Sequence, residues 1–189
     1  FKMNLKYVDY FLANNKKMAK NIYYNSFDKA ERFPFWLLKR CAREENVEFN
    51  VIYNDSVIIG IEYIIKYDDV VYLMYLAIDK DNRQKGYGTQ ILNDLTKKYG
   101  NVILSIEKAK QGNNDIKLKR KEFYLRNGFI SSNKYILDNG IEYEILNTNR
   151  KYNITKEILE KRYTQMTNSK FIRYLISKMF NVYNIEFIK

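Results

Sequence analysis

Arg83-Gln84-Lys85-Gly86-Tyr87-Gly88-Thr89 sets two cations beside two glycines within one short stretch. Glycines let successive backbone N–H groups turn toward one anion, and a helix starting there adds the positive end of its dipole. Arg83 and Lys85 bring full charges to the same place, so the turn suits a phosphate or pyrophosphate on a nucleotide-like ligand. Two other phosphate-binding patterns are excluded. No G-x-x-x-x-G-K-[ST] string occurs, which removes a Walker loop. Gln90 and Ile91 stand where a dinucleotide fingerprint would need its third glycine. Alone, an R-x-x-G-x-G string also fits an ordinary strand-to-helix connection with solvated cations, so the flanking elements decide.

Before the turn lies an apolar strand-like run, Val71 to Ile78; after it, Ile91, Leu92, Leu95 and Tyr99 recur at helical spacing. A second strand, Val102 to Ile106, follows, and then a second motif: Arg120-Lys121-Glu122-Phe123-Tyr124-Leu125-Arg126-Asn127-Gly128-Phe129. The pairs Ile116/Phe123 and Leu118/Leu125 each fall on one helical face. Gly128 is placed to end that helix in a positive-φ conformation, with Phe129 opening a strand. The order strand, glycine turn, helix, strand, F-Y helix, G-F, strand resembles the GNAT superfamily of acetyl-CoA-dependent N-acetyltransferases, over roughly residues 1–148. Two motifs in the right order make the resemblance far more specific than either alone.

The resemblance implies acetyl-CoA as co-substrate, with its pyrophosphate on Arg83, Gln84, Lys85, Gly86, Tyr87, Gly88 and Thr89. It implies that the pantetheine arm pairs with backbone groups of Leu76, Ala77 and Ile78, and that an N–H of this strand faces the thioester oxygen. Tyr124 matches the family's tyrosine near the cofactor sulfur, and an ordinary phenol, with a pKa of about 10, is protonated at neutral pH and able to donate. Glu107 resembles the glutamate that serves as base in some ribosomal-protein acetyltransferases, with Glu62 as runner-up. One position departs from the pattern: Lys117 stands where many members have a cofactor-binding asparagine; the nearest asparagines are Asn113 and Asn114, and either Asn113 makes the contact or the contact is lost. The early helices, with Phe33, Phe35, Trp36, Leu37 and Leu38, would pack the core and wall the acceptor site. The implied fold is an α/β (α+β) one: a mixed, mostly antiparallel sheet with helices on both faces.

Composition fits direct transfer. Histidine is absent, which removes the commonest general base, the usual zinc ligands and any Ser-His or Cys-His pairing, so no metal is expected. The single cysteine, Cys41, follows Leu37 and Leu38 and reads as a packed thiol in a reducing, cytoplasmic setting. No apolar run reaches the roughly 18 residues of a membrane span, and no signal peptide opens the chain.

Residues 1–149 form the expected transferase domain, its sheet closing with the Asp138-Asn139-Gly140 hairpin; residues 5–24 would open it as a helix. Phe49–Tyr53, Val57–Lys66 and Val70–Ile78 read as hairpin-linked strands. Residues 150–189 form a basic amphipathic appendage, helical and broken near Asn168-Ser169, with Ile154, Ile158, Met166, Phe171, Leu175 and Met179 as apolar positions. It carries nine Lys/Arg against three Glu, more than half of the chain's net +11. That charge suits solvated helix faces, with RNA or an acidic partner as the sharper alternative, and the apolar stripe suits the core or a homodimer. The acceptor, a small-molecule or peptide amine, stays open, and a non-catalytic acyl-CoA- or RNA-binding module is the competing reading.

Overall fold

The computed structural model describes residues 3–109, 116–180 and 185–188. Its elements are β1 (Leu5–Asp9), α1 (Lys16–Ser26), α2 (Phe35–Cys41), β2 (Val47–Asn54), β3 (Val57–Tyr67), β4 (Val70–Ile78), α3 (Tyr87–Tyr99), β5 (Val102–Glu107), α4 (Ile116–Arg126), β6 (Ile130–Asp138), β7 (Ile141–Asn147), α5 (Lys156–Thr164), α6 (Lys170–Met179) and β8 (Glu186–Ile188). Eight strands make one sheet in the order β1-β2-β3-β4-β5-β7-β6-β8. Every neighbouring pair is antiparallel except β4 and β5, which the α3 crossover makes parallel. This is the expected mixed sheet with helices on both faces. One face packs Ile22, Tyr23, Leu37 and Leu38 of α1 and α2 on Ile61, Tyr63 and Ile65. The other packs Leu92 and Leu95 of α3, with Phe123 and Tyr124 of α4, on Val71, Leu73 and Leu104.

The hairpins form where their turn residues allow. Asp55, Asp68, Asn139 and Gly140 all take positive φ between their strands, as tight connections demand. Two expectations at the chain ends change. Residues 5–9 are an edge strand paired with β2, because Leu5 and Tyr7 alternate inward; the helix begins only at Lys16, where Asn15 accepts from the Met18 N–H at 3.0 Å. The sheet also continues past the Asn139-Gly140 hairpin, since β8 pairs with β6.

The segment after residue 149 joins the main core through Ile154, Leu159, Tyr163, Met166, Ile172, Ile176 and Ile185. Ser169 caps α6 and divides the two helices as expected. The buried stripe of α6 is Ile172 and Ile176; Phe171 is 67% and Met179 40% exposed, so the expected stripe is rotated by one position. Cys41 is fully buried, and burial pushes its thiol up to about 12, which suits packing and not nucleophilic attack.

Candidate active site

β4 and β5 pair only at Val71↔Val102 and Tyr72↔Ile103, then diverge as a V. On its other edge β4 carries a bulge: Tyr63↔Tyr75 is followed by Ile64↔Leu73, which leaves Met74 as the extra residue. Further along the same edge Gly60, opposite Ile78, permits close approach, since a Cβ would meet the Ala77 carbonyl oxygen at 2.5 Å. The divergence frees the β5-facing backbone of Leu73 to Ile78, and a cavity of about 710 Å³ runs along it. Its walls include Tyr72 through Ile78 on one side and Leu104, Ser105 and Ile106 on the other.

At one end of the cavity lies the glycine turn. Gln84 (φ 63°) and Gly86 (φ 84°) take left-handed conformations that swing the chain from β4 into α3, with Gly86 as N-cap. The first turn of α3 holds no acidic side chain and no side-chain cap, so its N–H groups face outward without an internal anion. Arg83 also donates from Nε to the Ile78 carbonyl at 3.1 Å, which braces the turn on the end of β4. Arg83, Gln84, Gly86, Tyr87, Gly88 and Thr89 line the cavity, together with Leu76, Ala77 and Ile78. The Lys85 ammonium instead turns back to the Asp81 carbonyl at 2.7 Å and Asn82 Oδ1 at 3.3 Å.

Helix α4 supplies Tyr124, and its end fixes where that ring sits. Phe129 N–H bonds the Tyr124 carbonyl at 3.2 Å and Gly128 N–H the Leu125 carbonyl at 3.2 Å, with Gly128 at φ 85°. Those two bonds define a Schellman stop, and its usual apolar contact is the Tyr124–Phe129 ring pair, centroids 5.5 Å apart. One residue earlier, Phe123 packs against Gly88, where a Cβ would lie 2.9 Å from the ring. The two sequence motifs thus touch. Burial pushes the Tyr124 phenol up to about 12, opposed by the Arg120 cation, and both residues line the cavity.

The far end is built from α1–α2, the β6–β7 hairpin and α5. Glu31, Phe33, Asp138, Tyr143, Arg162, Tyr163 and Phe180 line it. The Glu31 carboxyl is raised by burial and then by the charge of Glu107, against the opposing pull of Arg120. Glu107 itself ends β5, pairs with the Lys117 ammonium and is not among the lining residues. Glu62 lies elsewhere, buried and bonded by Asn50 at 3.0 Å, off the cavity. Asn113 falls outside the described residues. Glu31, Tyr143, Arg162 and Tyr163 escaped the sequence reading. Arg162 alone left a sign, since it shares the apolar stripe of α5 with Leu159 and Tyr163.

Residues 45–131 match a family model described as an acetyltransferase (GNAT) domain. No curated protein matches the chain in sequence. Among solved structures, a Bacteroides thetaiotaomicron protein described as a GNAT-family acetyltransferase aligns over 94% of this chain and 96% of its own, at 18% identity and TM-score 0.67. An aminoglycoside 6'-N-acetyltransferase complexed with coenzyme A covers 81% of this chain and all of its own, at 13% identity and TM-score 0.64. The ribosomal-protein-S18-alanine N-acetyltransferase of Escherichia coli covers 77% of this chain and 92% of its own, at 11% identity and TM-score 0.56. At such identities the likeness to these structures is one of fold.

Proposed function

From the match of residues 45–131 to an acetyltransferase (GNAT) domain model and the likeness of fold, we propose that the chain moves an acetyl group from acetyl-CoA directly to a primary amine. The observation that carries the proposal is one continuous cavity joining the glycine turn, the freed edge of β4 and Tyr124. The residues suit the cofactor: an uncapped helix start for its phosphates and an open strand edge for its amide-bearing arm. When bound, acetyl-CoA supplies an already activated thioester, which leaves the protein to position reactants and manage protons.

In this proposal Arg83, Gln84 and the backbone of Lys85 through Thr89 hold the pyrophosphate. Leu76, Ala77 and Ile78 bond the arm through their backbones, and an N–H near the Met74 bulge polarises the thioester carbonyl. Asn113 remains the proposed extra cofactor contact. Tyr124 donates its proton to the leaving thiolate. Glu31, which lines the cavity, takes the proton from the acceptor ammonium, while Glu107 acts as the neighbouring charge that makes Glu31 more basic. The acceptor is a small-molecule or peptide amine, and supply of acetyl-CoA fits a cytoplasmic setting.

Calorimetry with CoA and acetyl-CoA, followed by mass spectrometry of amines incubated with enzyme and acetyl-CoA, tests the proposal. Saturable binding that Gly86→Val abolishes, and that Arg83→Ala weakens in a salt-dependent way, is expected. A folded protein that takes up neither thioester nor thiol removes the reading.

A further inference from the structure

Arg162 is 2% exposed on α5, yet it lines the cavity at the apex of the V. Its guanidinium lies over Tyr72, the last β4 residue paired with β5, at 5.2 Å, and over Tyr163 at 4.5 Å. Nη2 donates to Asp138 Oδ2 and, at 3.2 Å, to the Tyr163 hydroxyl, which itself donates to Asp138 Oδ2 at 2.5 Å. This ties the C-terminal segment to the β6–β7 hairpin. Two atoms of the network stay unspent: Arg162 Nη1 and Asp138 Oδ1 have no partner among the described residues. Leaving a buried N–H of a cation unbonded is costly, so such a group is expected to serve something that enters the cavity.

The charges around it narrow the ligand. Glu107 is paired with Lys117, Asp138 with Arg162, and Glu31 feels the Arg120 cation. Two of these three carboxylates are held in ion pairs, which weakens this end as an acidic well for a polycation. The unspent charged donor is a guanidinium N–H, which takes a carbonyl or carboxylate oxygen.

Resting on the proposed transfer reaction, we propose that Arg162 recognises an oxygen carried by the acceptor itself. The acceptor is then an amine with a nearby carbonyl or carboxylate, as in an amino acid or a peptide N-terminus, and not a polyamine. Asp138 and Tyr163 act as positioning residues for the guanidinium.

A dipeptide, a free amino acid and spermidine, each offered with acetyl-CoA, test this by product mass and by KM. The amino-acid and dipeptide arms distinguish a carboxylate from a peptide carbonyl as the oxygen. Arg162→Met leaves Asp138 buried alone and endangers folding, so the double variant Arg162→Met/Asp138→Asn and the single Arg162→Lys are used with it. A KM raised roughly tenfold or more for the preferred acceptor, with kcat and acetyl-CoA affinity nearly unchanged, is expected in the double variant. Preference for spermidine, or an unchanged KM in a folded double variant, overturns the inference while leaving acetyl transfer intact. Direct titration of the dipeptide and amino acid into CoA-free protein reads the same contact without turnover. Arg162-dependent binding in a protein that never takes CoA would uphold the inference and sink the transfer reaction.

Discussion

Tyr124 and Glu31 face one cavity with protonation states set by their surroundings. The phenol, pushed up to about 12, stays protonated at neutral pH and can give a proton to a thiolate but not accept one from an amine. Tyr124→Phe is expected to lower kcat roughly a hundred- to ten-thousand-fold with acetyl-CoA affinity unchanged, read by thiol release and calorimetry. Equal losses in both would make Tyr124 a packing residue. Glu31 works only as the anion, so the rate should climb through its pKa, which burial raises from the ordinary value. The Glu107 charge contributes to that rise, so Glu107→Gln should move the acidic limb of the rate profile to lower pH, and Glu31→Gln should erase it. An acidic limb that survives Glu31→Gln would exclude Glu31 as base. Glu62 makes a separate prediction about stability. Burial raises its carboxyl to about 7, and Oε2 has no partner among the described residues. The native state therefore holds a proton that the unfolded chain releases near its ordinary pKa of about 4.3, and stability falls as pH rises from there to about 7. Glu62→Gln should flatten that fall and stabilise the protein at pH 8 by roughly 2–4 kcal/mol, measured by urea unfolding at several pH values.

At the scale of elements, the site depends on α3 and α4 meeting where Gly88 has no side chain. Gly88 does not need positive φ, so a substitution there acts through the Phe123 ring and not through backbone strain. Gly88→Val should separate the two helices, weakening CoA binding and displacing Tyr124 together. Combining Gly88→Ala with Phe123→Leu should restore affinity that Gly88→Ala alone loses, and failure of that rescue would place the fault in the turn itself. The same junction shows what a linear chain can reveal. Gly86, Gly128 and Asn139-Gly140 were legible because their neighbours demand positive φ, and each takes it. Strand β1 was not, because five residues give too few alternations to outweigh the basic, mixed stretch that follows. Glu31 was not, because the rise in its carboxyl pKa comes from burial and from Glu107, which a distant strand brings near it. Lys85 shows the same limit: its charge is plain in the chain, whereas only the fold shows its ammonium bonded to the Asp81 carbonyl and Asn82 Oδ1.

On the scale of the molecule, the boundary at Asn149 is proposed as a division of roles. Residues 1–149 carry the glycine turn, the strand edge and Tyr124; residues 150–189 carry more than half of the net charge and supply Arg162, Tyr163 and Phe180 to the cavity. The second segment also completes the core. Truncation after Asn149 would remove Ile154, Leu159, Tyr163, Met166, Ile172, Ile176 and Ile185 from the main cluster and β8 from the edge of the sheet. Each large apolar side chain contributes about 1.5–3 kcal/mol on full burial, so the sum rivals the whole stability of about 5–15 kcal/mol typical of a domain. Asp138 would also lose both groups that bond its carboxylate. The truncated chain is therefore expected to lose cooperative thermal unfolding, and to lose CoA binding along with its structure. Charge alone should matter far less: Lys170→Gln and Lys178→Gln, on exposed positions of α6, should leave melting and acetyl-CoA affinity nearly unchanged. Circular dichroism and calorimetry on the truncated chain decide the matter. A truncated protein that melts cooperatively and binds acetyl-CoA like the full chain would show that the last forty residues lean on a core complete without them. A fold that survives with CoA binding intact but loses the preference for amino-acid or peptide amines would confine the segment's role to the Arg162 end of the cavity.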